Sequence, residues 1–300
     1  MPSSFTTVGL IGRRSAPAIL DSLDAVLECL LSHSVQVVVE DDTAVLMGIG
    51  AHNGRRNLAT AARLELGSCC DLIVVVGGDG SLLGVGRDLA HAGVPVVGIN
   101  RGGLGFLADI APDQILTKLS EVLAGRYSIE DHFLLEARVL RNGREIARSA
   151  ALNDVVVHLG TMARMMEFNL WVDGEFVYDQ RSDGVIIASP TGSTAYSLSA
   201  GGPIMHPSLD AIVIVPMFPH TLNSRPLVVR GQSEIKVVLG ASDHQAQVSC
   251  DSQVDFHLSS ADEVLVSKYA TPLKLLYPPG HNFFEACRSK LDWASRLGGR

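Results

Sequence analysis

The chain has 300 residues, a length that favours two domains over one. Hydrophobic residues make up 47% of it, which is enough for a substantial core, and the formal net charge is -8. This acidic balance argues against a nucleic-acid partner, because such binding depends on cations that neutralise phosphates.

The N-terminus and the apolar segments predict a cytoplasmic protein. Residues 1–7 lack the basic and then apolar pattern of an export signal, and no run approaches the roughly 20 apolar residues of a membrane helix. The five cysteines form an odd set without a Cys-x-x-Cys pair. This spacing argues against a disulfide framework and against a zinc site, so we expect reduced thiols and no protein-bound metal.

The first part of the chain alternates short apolar strands with helical segments. Strands are expected at 7–12, 35–39, 72–76 and 94–99, and helices at 17–31, 57–66, 81–91 and 112–124. The strand at 72–76 is apolar without alternation, which suits a sheet buried on both faces. The pattern predicts a doubly wound, mainly parallel α/β domain that binds its ligands at the carboxyl ends of the strands.

The turn after the third strand combines three glycines with an acid and a hydroxyl, in the order Gly77, Gly78, Asp79, Gly80, Ser81. A helix begins there, so backbone N–H groups and the helix dipole make the glycines and Ser81 candidate phosphate contacts. Asp79 would repel a phosphate unless it had a chemical role. An Asp that deprotonates an attacking hydroxyl is a recurring part of phosphoryl transfer. A helix cap made by Asp79 or Ser81 explains the same residues equally well.

Two common nucleotide signatures are absent. The chain has no G-x-x-x-x-G-K-[ST] segment, which excludes a P-loop. Gly78-x-Gly80 is followed by Leu83 where a dinucleotide fingerprint has its third glycine, and the next strand ends in Asn100 instead of an acid, which disfavours a hydride-transferring dehydrogenase. A second glycine-rich turn, residues 100–106, follows that strand. Taken alone, this turn indicates a simple chain reversal.

From Asp131 onward the pattern changes to strands of period two joined by turn dipeptides. Asn142-Gly143 and Asp173-Gly174 are strong hairpin signals. Strands are expected at 135–140, 155–159, 167–172, 175–178, 184–188, 211–215, 235–239, 247–250 and 264–268. We therefore predict an α/β domain over 1–130 and a β-sandwich-like all-β domain over 131–276. In the last segment, 277–300, we expect a helix over 282–297 that packs back on the first domain.

Two polar segments of the second domain are candidate ligand contacts. The stretch 189–203 has no Lys, Arg, Asp or Glu, so its hydroxyls, glycines and Tyr196 fit a platform for a planar polar ring better than a solvated surface loop. Asn153 and Asp154 precede an apolar strand. The carboxylate suits a ribose hydroxyl pair and the amide suits an adenine edge. A turn-forming Asx pair explains these two residues at least as well.

Together these segments resemble the bacterial NAD kinases that use ATP. The resemblance rests on residues 77–81, 100–107, 153–154, 183–203 and 218–227, which occur in the family's order. The glycine-acid turn alone is shared with diacylglycerol and sphingosine kinases, whereas 189–203 is highly specific. The resemblance implies transfer of the γ-phosphoryl group of ATP to the 2′-hydroxyl of the adenosine ribose of NAD, giving NADP. Asp79 would be the general base, and a divalent cation, magnesium, would balance the triphosphate.

The resemblance also implies a set of NAD contacts, and it carries them over position by position. They are Asp79, Gly80 and Phe106 against the nucleotide, Asn153 and Asp154 on the adenosine, Thr194, Ala195, Tyr196 and Ser199 lining its pocket, Arg181 and Asp183 at the nicotinamide end, and Arg164 and Gln253 at the periphery. Phosphate contacts would be Gly77, Gly78, Gly80 and Ser81.

Three positions refine what the resemblance implies. A charged or polar residue at the position of Arg181 goes with strict use of ATP and a preference for NAD over NADH, so polyphosphate should be a poor donor. Asp154 stands where the family usually has Glu, so its ribose contact needs a small backbone shift or a bridging water. Ser81 stands where Thr is commonest and retains the hydroxyl.

The resemblance further implies a homo-oligomer, commonly a tetramer, built through the β domain, with each NAD site completed by a neighbouring subunit. Two alternatives stay open on the sequence. One is a lipid kinase of the diacylglycerol type, and the other is a non-catalytic NAD(P)-binding regulator, against which the intact Asp79 argues.

Overall fold

The computed structural model describes residues 3–12, 19–49, 58–101, 105–160, 165–221, 223–240 and 246–291. The chain divides into two units, one formed by Met1–Asp131 with Leu273–Arg300 and the other by His132–Pro272. Each unit has a hydrophobic core of its own.

The first unit is a seven-stranded sheet with helices packed against it. Its strands are β1 (Thr7–Gly12), β2 (Gln36–Glu40), β3 (Ala59–Ala61), β4 (Leu72–Gly77), β5 (Val96–Asn100), β6 (Ser128–His132) and β19 (Leu273–Tyr277). Its helices are α1 (Leu20–Ser32), α2 (Asp41–Met47), α3 (Arg63–Cys69), α4 (Asp79–Leu89), α5 (Ile115–Leu123) and α7 (Phe283–Lys290). The strand order is β3-β2-β1-β4-β5-β19-β6, and the pairs from β3 to β19 are parallel.

The order of the strands reverses between β1 and β4. From β1 the chain first builds outward through β2 and β3, and then returns to place β4 and β5 on the other side. Doubly wound sheets bind ligands at such a reversal, outside the carboxyl ends of the strands. Since β4 ends at Gly77, the glycine-acid turn lies at this point.

Helices α1 and α5 bury apolar side chains at helical spacing against the sheet. The buried residues of α1 include Leu23, Val26 and Leu30, and those of α5 include Ile115 and Leu119. They join strand residues of β1, β2, β4 and β5 in one core. Truncating one such leucine to alanine costs about 2–5 kcal/mol, so this core fixes the sheet on which the turn is built.

The second unit consists of two six-stranded sheets whose pairs are antiparallel. The first sheet has the order β11-β10-β15-β18-β7-β8 and the second the order β14-β13-β12-β9-β16-β17. The strands are β7 (Leu135–Arg141), β8 (Arg144–Ala151), β9 (Asp154–Leu159), β10 (Met166–Val172), β11 (Glu175–Ser182), β12 (Gly184–Ala188), β13 (Ala211–Met217), β14 (Leu227–Arg230), β15 (Ile235–Leu239), β16 (Ala246–Cys250), β17 (Val254–Leu258) and β18 (Glu263–Lys268). A short helix, α6 (Tyr196–Ser199), follows β12.

The two antiparallel sheets share a core. Phe168 of β10 and Val139 of β7 lie in the same buried cluster as Val157 of β9 and Ile187 of β12. Strands that alternate buried and exposed residues and pack two faces together form a sandwich. The predicted fold class, an α/β domain with a β-sandwich-like domain and a C-terminal helix, is confirmed. None of the helices in the described residues is long and apolar enough to cross a membrane.

The predicted helix over 57–66 is wrong. Ala59–Ala61 pairs with β2 as β3, and α3 begins only at Arg63. Alanine favours helices, but pairing with a buried strand outweighs that weak preference. The start of α3 is fixed by Glu65, whose carboxylate accepts the Ala62 N–H at 3.2 Å.

The predicted second domain also ends too late. The predicted boundary is Leu276, whereas the second unit ends at Pro272 because Leu273–Tyr277 joins the parallel sheet beside β5. The predicted helix over 282–297 is α7 as far as Lys290, and residues 292–297 lie outside the described part. Helix α7 belongs to the first unit.

Candidate active site

The Asp79 carboxylate is held by the second glycine-rich turn. Asp79 is the first residue of α4, and its carboxylate accepts hydrogen bonds from three successive backbone N–H groups, those of Phe106, Leu107 and Ala108, the last two at 3.2 Å. The helix-cap explanation does not describe these contacts, since the carboxylate binds another loop. The turn interpreted as a simple reversal is therefore part of the Asp79 site, although residues 102–104 lie outside the described part.

Gly105 makes this approach possible. A Cβ atom on Gly105 would overlap the Asp79 carboxylate. A larger residue must therefore move either the loop or the acid. The glycine serves close packing here, which composition alone does not reveal.

A buried polar network fixes the neighbouring end of β1. The Thr43 hydroxyl accepts the Gly12 N–H at 2.8 Å and donates to the Glu40 carboxylate at 2.7 Å. Glu40 is 1% exposed and also binds the Arg63 guanidinium at 2.6 Å. The sequence reasoning missed Glu40, because a single acid at the end of an apolar strand has no spacing signal. The Glu40 carboxylate has a hydrogen-bond donor in Thr43 and a counter-charge in Arg63, so we assign it a structural role.

The C-terminal segment reaches the same loop. The Nζ of Lys290 lies 5.4 Å from the centroid of the Phe106 ring. Burial lowers the pKa of Lys290, and the carboxylates of Asp79 and Asp109 oppose that shift. The Nδ1 of His281 lies 3.3 Å from Oδ2 of Asp109, and this contact holds the pKa of Asp109 below its ordinary value. Sequence reasoning placed a helix here but assigned neither Lys290 nor His281 to the site.

In the second unit, Asp251 positions the Asn-Asp pair. Its carboxylate accepts the backbone N–H groups of Leu152 at 2.9 Å, Asn153 at 2.7 Å and Asp154 at 3.3 Å. Asp251 lies in the turn between β16 and β17 with a φ of 54°, and its own N–H donates to the Asp154 carbonyl at 3.0 Å. Asp251 was not among the predicted site residues. Of the residues in its turn, only Gln253 is a predicted contact.

Asp154 is a buried acid. It is 3% exposed, and burial raises its pKa from 3.8 to about 7, with the neighbouring Asp251 adding to the shift. A carboxyl group that changes its protonation near neutral pH can either accept or donate a hydrogen bond. Asn153 beside it is only half-buried.

The hydroxyl-rich stretch divides into structural and accessible residues. The Ser189 hydroxyl donates to the Leu152 carbonyl at 2.6 Å, and the Ser193 hydroxyl accepts the Met205 N–H at 2.9 Å. Both side chains are fully buried. In contrast, the four predicted pocket residues keep exposed surface, and these are Thr194, Ala195, Tyr196 and Ser199.

Gly192 ties this stretch to the Asn-Asp pair. A Cβ atom on Gly192 would overlap the Asn153 carbonyl oxygen, and Ser189 N–H donates to the same oxygen at 2.9 Å. The structure thus brings together Asn153, Asp154 and the predicted pocket stretch. Gln253 lies in the same turn as Asp251, between β16 and β17, and its N–H donates to the Cys250 carbonyl at 3.0 Å.

Arg181 and Asp183 are not brought to the Asn-Asp pair. In the β9–β12 pairing, Asp154 lies opposite Ala188, whereas Gly184, next to Asp183, lies opposite His158. At about 3.4 Å per residue, the two ends of β12 are roughly 14 Å apart. Arg181 is exposed and its Nε lies 3.9 Å from Glu167, a weak surface contact. Arg164 lies outside the described residues.

Family models match both parts of the chain. The model for the ATP-NAD kinase N-terminal domain matches residues 8–127, and that for the ATP-NAD kinase C-terminal domain matches residues 152–277. A protein named NAD kinase from Pseudomonas fluorescens is 52% identical over 298 residues, which cover 98% of this chain and 98% of that protein. The chain belongs to the ATP-NAD kinase family.

Other relatives agree with this assignment. An NAD kinase from Pseudomonas entomophila is 52% identical over 299 residues, 99% of this chain and 98% of its own length. A yeast NADH kinase solved with NADH superposes with a TM-score of 0.88 at 26% identity, covering 98% of this chain and 89% of that one. An NAD kinase from Archaeoglobus fulgidus solved with ATP has the same fold, with a TM-score of 0.74 at 24% identity over 96% of this chain and 99% of that one.

The family assignment confirms the predicted enzyme class. This member of the ATP-NAD kinase family is an ATP-dependent NAD kinase, so it is a transferase that binds NAD and ATP. Neither the lipid kinase nor the non-catalytic regulator is favoured by any relative described above.

Proposed function

We propose that Asp79 is the general base of NAD phosphorylation. Its carboxylate would take the proton of the 2′-hydroxyl of the adenosine ribose while that oxygen attacks the γ-phosphorus of ATP. The bond from this phosphorus to the β,γ-bridging oxygen breaks, and ADP leaves. One observation carries the proposal, namely that three backbone N–H groups fix the Asp79 carboxylate at the carboxyl end of β4. A fixed carboxylate needs little reorganisation to accept a proton.

The glycine-acid turn would hold the phosphates of ATP. It includes the first turn of α4, an eleven-residue helix whose N-terminus carries partial positive charge. Gly80 is exposed, whereas Gly78 and Ser81 are half-buried, so a ligand can reach the turn. Gly77, Gly78, Gly80 and Ser81 are the proposed contacts. Phe106 would lie against the nucleotide.

The adenosine of NAD would bind in the second unit. Asn153 and Asp154 would hold the ribose and the adenine edge, while Thr194, Ala195, Tyr196 and Ser199 would line the pocket. Their shared support is that Ser189 and Gly192 tie the pocket stretch to Asn153. Tyr196, with 42% of its surface exposed, offers a ring on which a base can stack. Gln253 and Arg164 would be peripheral contacts.

The nicotinamide end would be completed by a neighbouring subunit. Arg181 and Asp183 lie at the far end of β12 from Asp154, so they would contact a different part of the dinucleotide from Asn153 and Asp154. Exposed apolar side chains on edge strands β11 and β14 support an oligomer, and they include Phe176, Val177, Leu227 and Val228. We propose a homotetramer, and a cytoplasmic location.

A divalent cation would accompany ATP. In the part of the chain that the structure describes, no three His, Cys, Asp or Glu side chains converge on a metal site. Mg²⁺ commonly takes substrate phosphates and waters with at most one or two carboxylates, so the triphosphate would supply most of its ligands. The cation supplies charge neutralisation on the triphosphate.

Replacing Asp79 by Asn tests the assignment of the base. We expect kcat for NADP formation with MgATP to fall at least about a hundredfold, the scale of a general base. In Asn an NH₂ group replaces one of the two carboxylate oxygens, so one of the three hydrogen bonds from the loop N–H groups is lost. Binding of ATP and NAD should therefore be measured in the same variant, and a loss of kcat with binding retained identifies the chemical role.

Nearly full activity in Asp79→Asn would rule out Asp79 as the base.

The same assay with polyphosphate as the only phosphoryl donor tests the donor preference that Arg181 predicts. Robust turnover of the wild type with polyphosphate would contradict strict use of ATP.

A further inference from the structure

Lys290 is a half-buried cation beside the candidate base. Its Nζ lies 5.4 Å from the Phe106 ring centroid, and Phe106 donates its N–H to the Asp79 carboxylate. Among the ion pairs of the described residues, none includes Lys290. A charged group that is partly removed from water without an ion pair is costly unless a ligand supplies the counter-charge.

The segment that carries Lys290 is anchored at several points. The His281 ring stacks on Tyr277 with centroids 3.6 Å apart, and Tyr277 is 2% exposed. Lys118 donates to the Pro279 carbonyl at 3.0 Å, and the Asn282 side chain accepts the Glu285 N–H at 3.1 Å to cap α7. These contacts fix the start of α7, so Lys290 at its end has a defined position.

Two contacts join this segment to the loop that holds Asp79. The Nδ1 of His281 lies 3.3 Å from the carboxylate of Asp109, which directly follows Ala108, and the Lys290 ammonium lies over the Phe106 ring. Both Phe106 and Ala108 donate to the Asp79 carboxylate. The Lys290 ammonium is therefore held near the carboxylate by geometry, and its pKa reflects the charges of both Asp79 and Asp109.

Phosphoryl transfer requires a cation of this kind. Sites for this reaction place Lys or Arg on the transferred phosphates, because negative charge accumulates there. The glycine-acid turn, residues 77–81, has no basic residue. We propose that Lys290 supplies the missing charge and binds the terminal phosphates of ATP next to Asp79. This inference rests on the proposed location of the phosphates at residues 77–81.

Substitution of Lys290 by Met tests the inference, since Met keeps an apolar stem over Phe106 but removes the charge. We expect kcat/KM for MgATP to fall about 10- to 100-fold, while KM for NAD changes less than about twofold. Lys290→Arg should retain most of the activity, because it keeps the cation. A calorimetric titration of the full chain with MgATP, without NAD, should show the same loss of affinity in Lys290→Met.

Arg288→Met is the matched control. Arg288 is a second cation in the last turn of α7, but its side chain is exposed. We expect little change in ATP affinity for this variant. Unchanged MgATP affinity in Lys290→Met, or an equal loss in Arg288→Met, would overturn the inference.

The test is independent of the base assignment. If Lys290→Met lowers the thermal stability too far for assay, Lys290→Arg and Lys290→Gln, compared by the same MgATP titration, decide the question. An active Asp79→Asn enzyme would refute the base while leaving the ATP titrations of the Lys290 variants interpretable, since binding is measured without turnover.

Discussion

Two aspartates, one in each unit, are held by the same device. Asp79 accepts three successive backbone N–H groups from residues 106–108, and Asp251 accepts three from residues 152–154. Successive N–H groups that converge on one anion form a nest, which orients a carboxylate without using a charged side chain. In each case the nest includes a residue predicted to contact NAD, Phe106 in the first and Asn153 in the second. Each acid therefore links the shape of a loop to a candidate site.

Replacing Asp154 by Asn should stabilise the fold increasingly as the pH rises. Burial, followed by the charge of Asp251, raises the pKa of Asp154 from 3.8 to about 7. The folded state binds this proton more tightly than the unfolded state, so the wild type loses stability as pH rises through the interval from about 4 to about 7. Asn has no proton to lose. We expect the Tm of Asp154→Asn minus that of the wild type to increase between pH 5 and pH 8.

Asp262→Asn provides the control with the opposite sign. A hydrogen bond from Arg141 lowers the pKa of Asp262. Its stabilisation is complete above the unfolded pKa near 4 and is lost only in acid. The Tm difference of this variant should stay level from pH 5 to pH 8. A level profile for Asp154→Asn as well would contradict the buried-acid interpretation.

At the scale of elements, loops at strand ends form the candidate site. The turn after β4 carries Asp79 and the turn after β5 holds it, and the two strands are neighbours. The sequence placed both turns at one edge of the sheet, because parallel strands end together. It could not reveal that the second turn binds the first, since the contact uses backbone N–H groups that every residue has.

Gly105→Ala should impair catalysis more than stability. The new Cβ atom would overlap the Asp79 carboxylate, so the carboxylate or the loop must shift. A displacement near 1 Å at a reacting group can cost about a hundredfold in rate, and we expect kcat to fall about 10- to 100-fold. Steady-state assays and thermal melts of the same preparation measure the two effects.

Gly143→Ala is the matched control for Gly105→Ala. Gly143 has a φ of 73° in the β7–β8 turn, with no atom within 4 Å of an added Cβ. This variant should lower Tm and leave kcat unchanged. Equal activity of the two variants would show that the Gly105 contact has no part in catalysis.

Some elements escaped the sequence analysis for a common reason. Of the strands that were not predicted, β6, β8, β14 and β17 all lie at an edge of a sheet. Edge strands face solvent along one side and carry more polar residues, as in the Ser-Ile-Glu-Asp-His of β6, so their apolar alternation is weak. The buried strands, with continuous or strictly alternating apolar residues, were predicted within about two residues of their ends, except β19, an internal strand of the first sheet that was not predicted.

At the scale of the whole molecule, the predicted NAD contacts of the second unit fall into two separate groups. The adenosine contacts cluster around Asn153, while Arg181 and Asp183 lie at the other end of β12. The sequence order of these residues gave no indication of this separation. The antiparallel pairing of β9 and β12 alone determines it.

Mixing two defective variants tests whether subunits share a site. Asn153→Ala removes an adenosine contact, and Asp183→Ala removes a contact proposed to come from the neighbour. Each variant alone should lose most of its activity. In mixed oligomers made by co-expression, about one site in four should combine an intact Asn153 with an intact neighbouring Asp183, so activity should recover to about a quarter of the wild type.

The same preparations need a control for oligomer formation. Sedimentation of the wild type should give the mass of a tetramer. If activity does not recover in verified mixed oligomers, Asn153 and Asp183 of the same chain contact one NAD molecule, and the shared site is contradicted.

The position of β19 has a consequence for the order in which the protein can form during synthesis. β19 lies between β5 and β6 in the first sheet, yet it is made after the whole of His132–Pro272. A nascent chain that has emerged from the ribosome only as far as Pro272 holds a finished second unit but lacks a central strand of the first. The sheet that presents Asp79 can therefore be completed only after Leu273–Tyr277 has been made, shortly before the segment carrying Lys290.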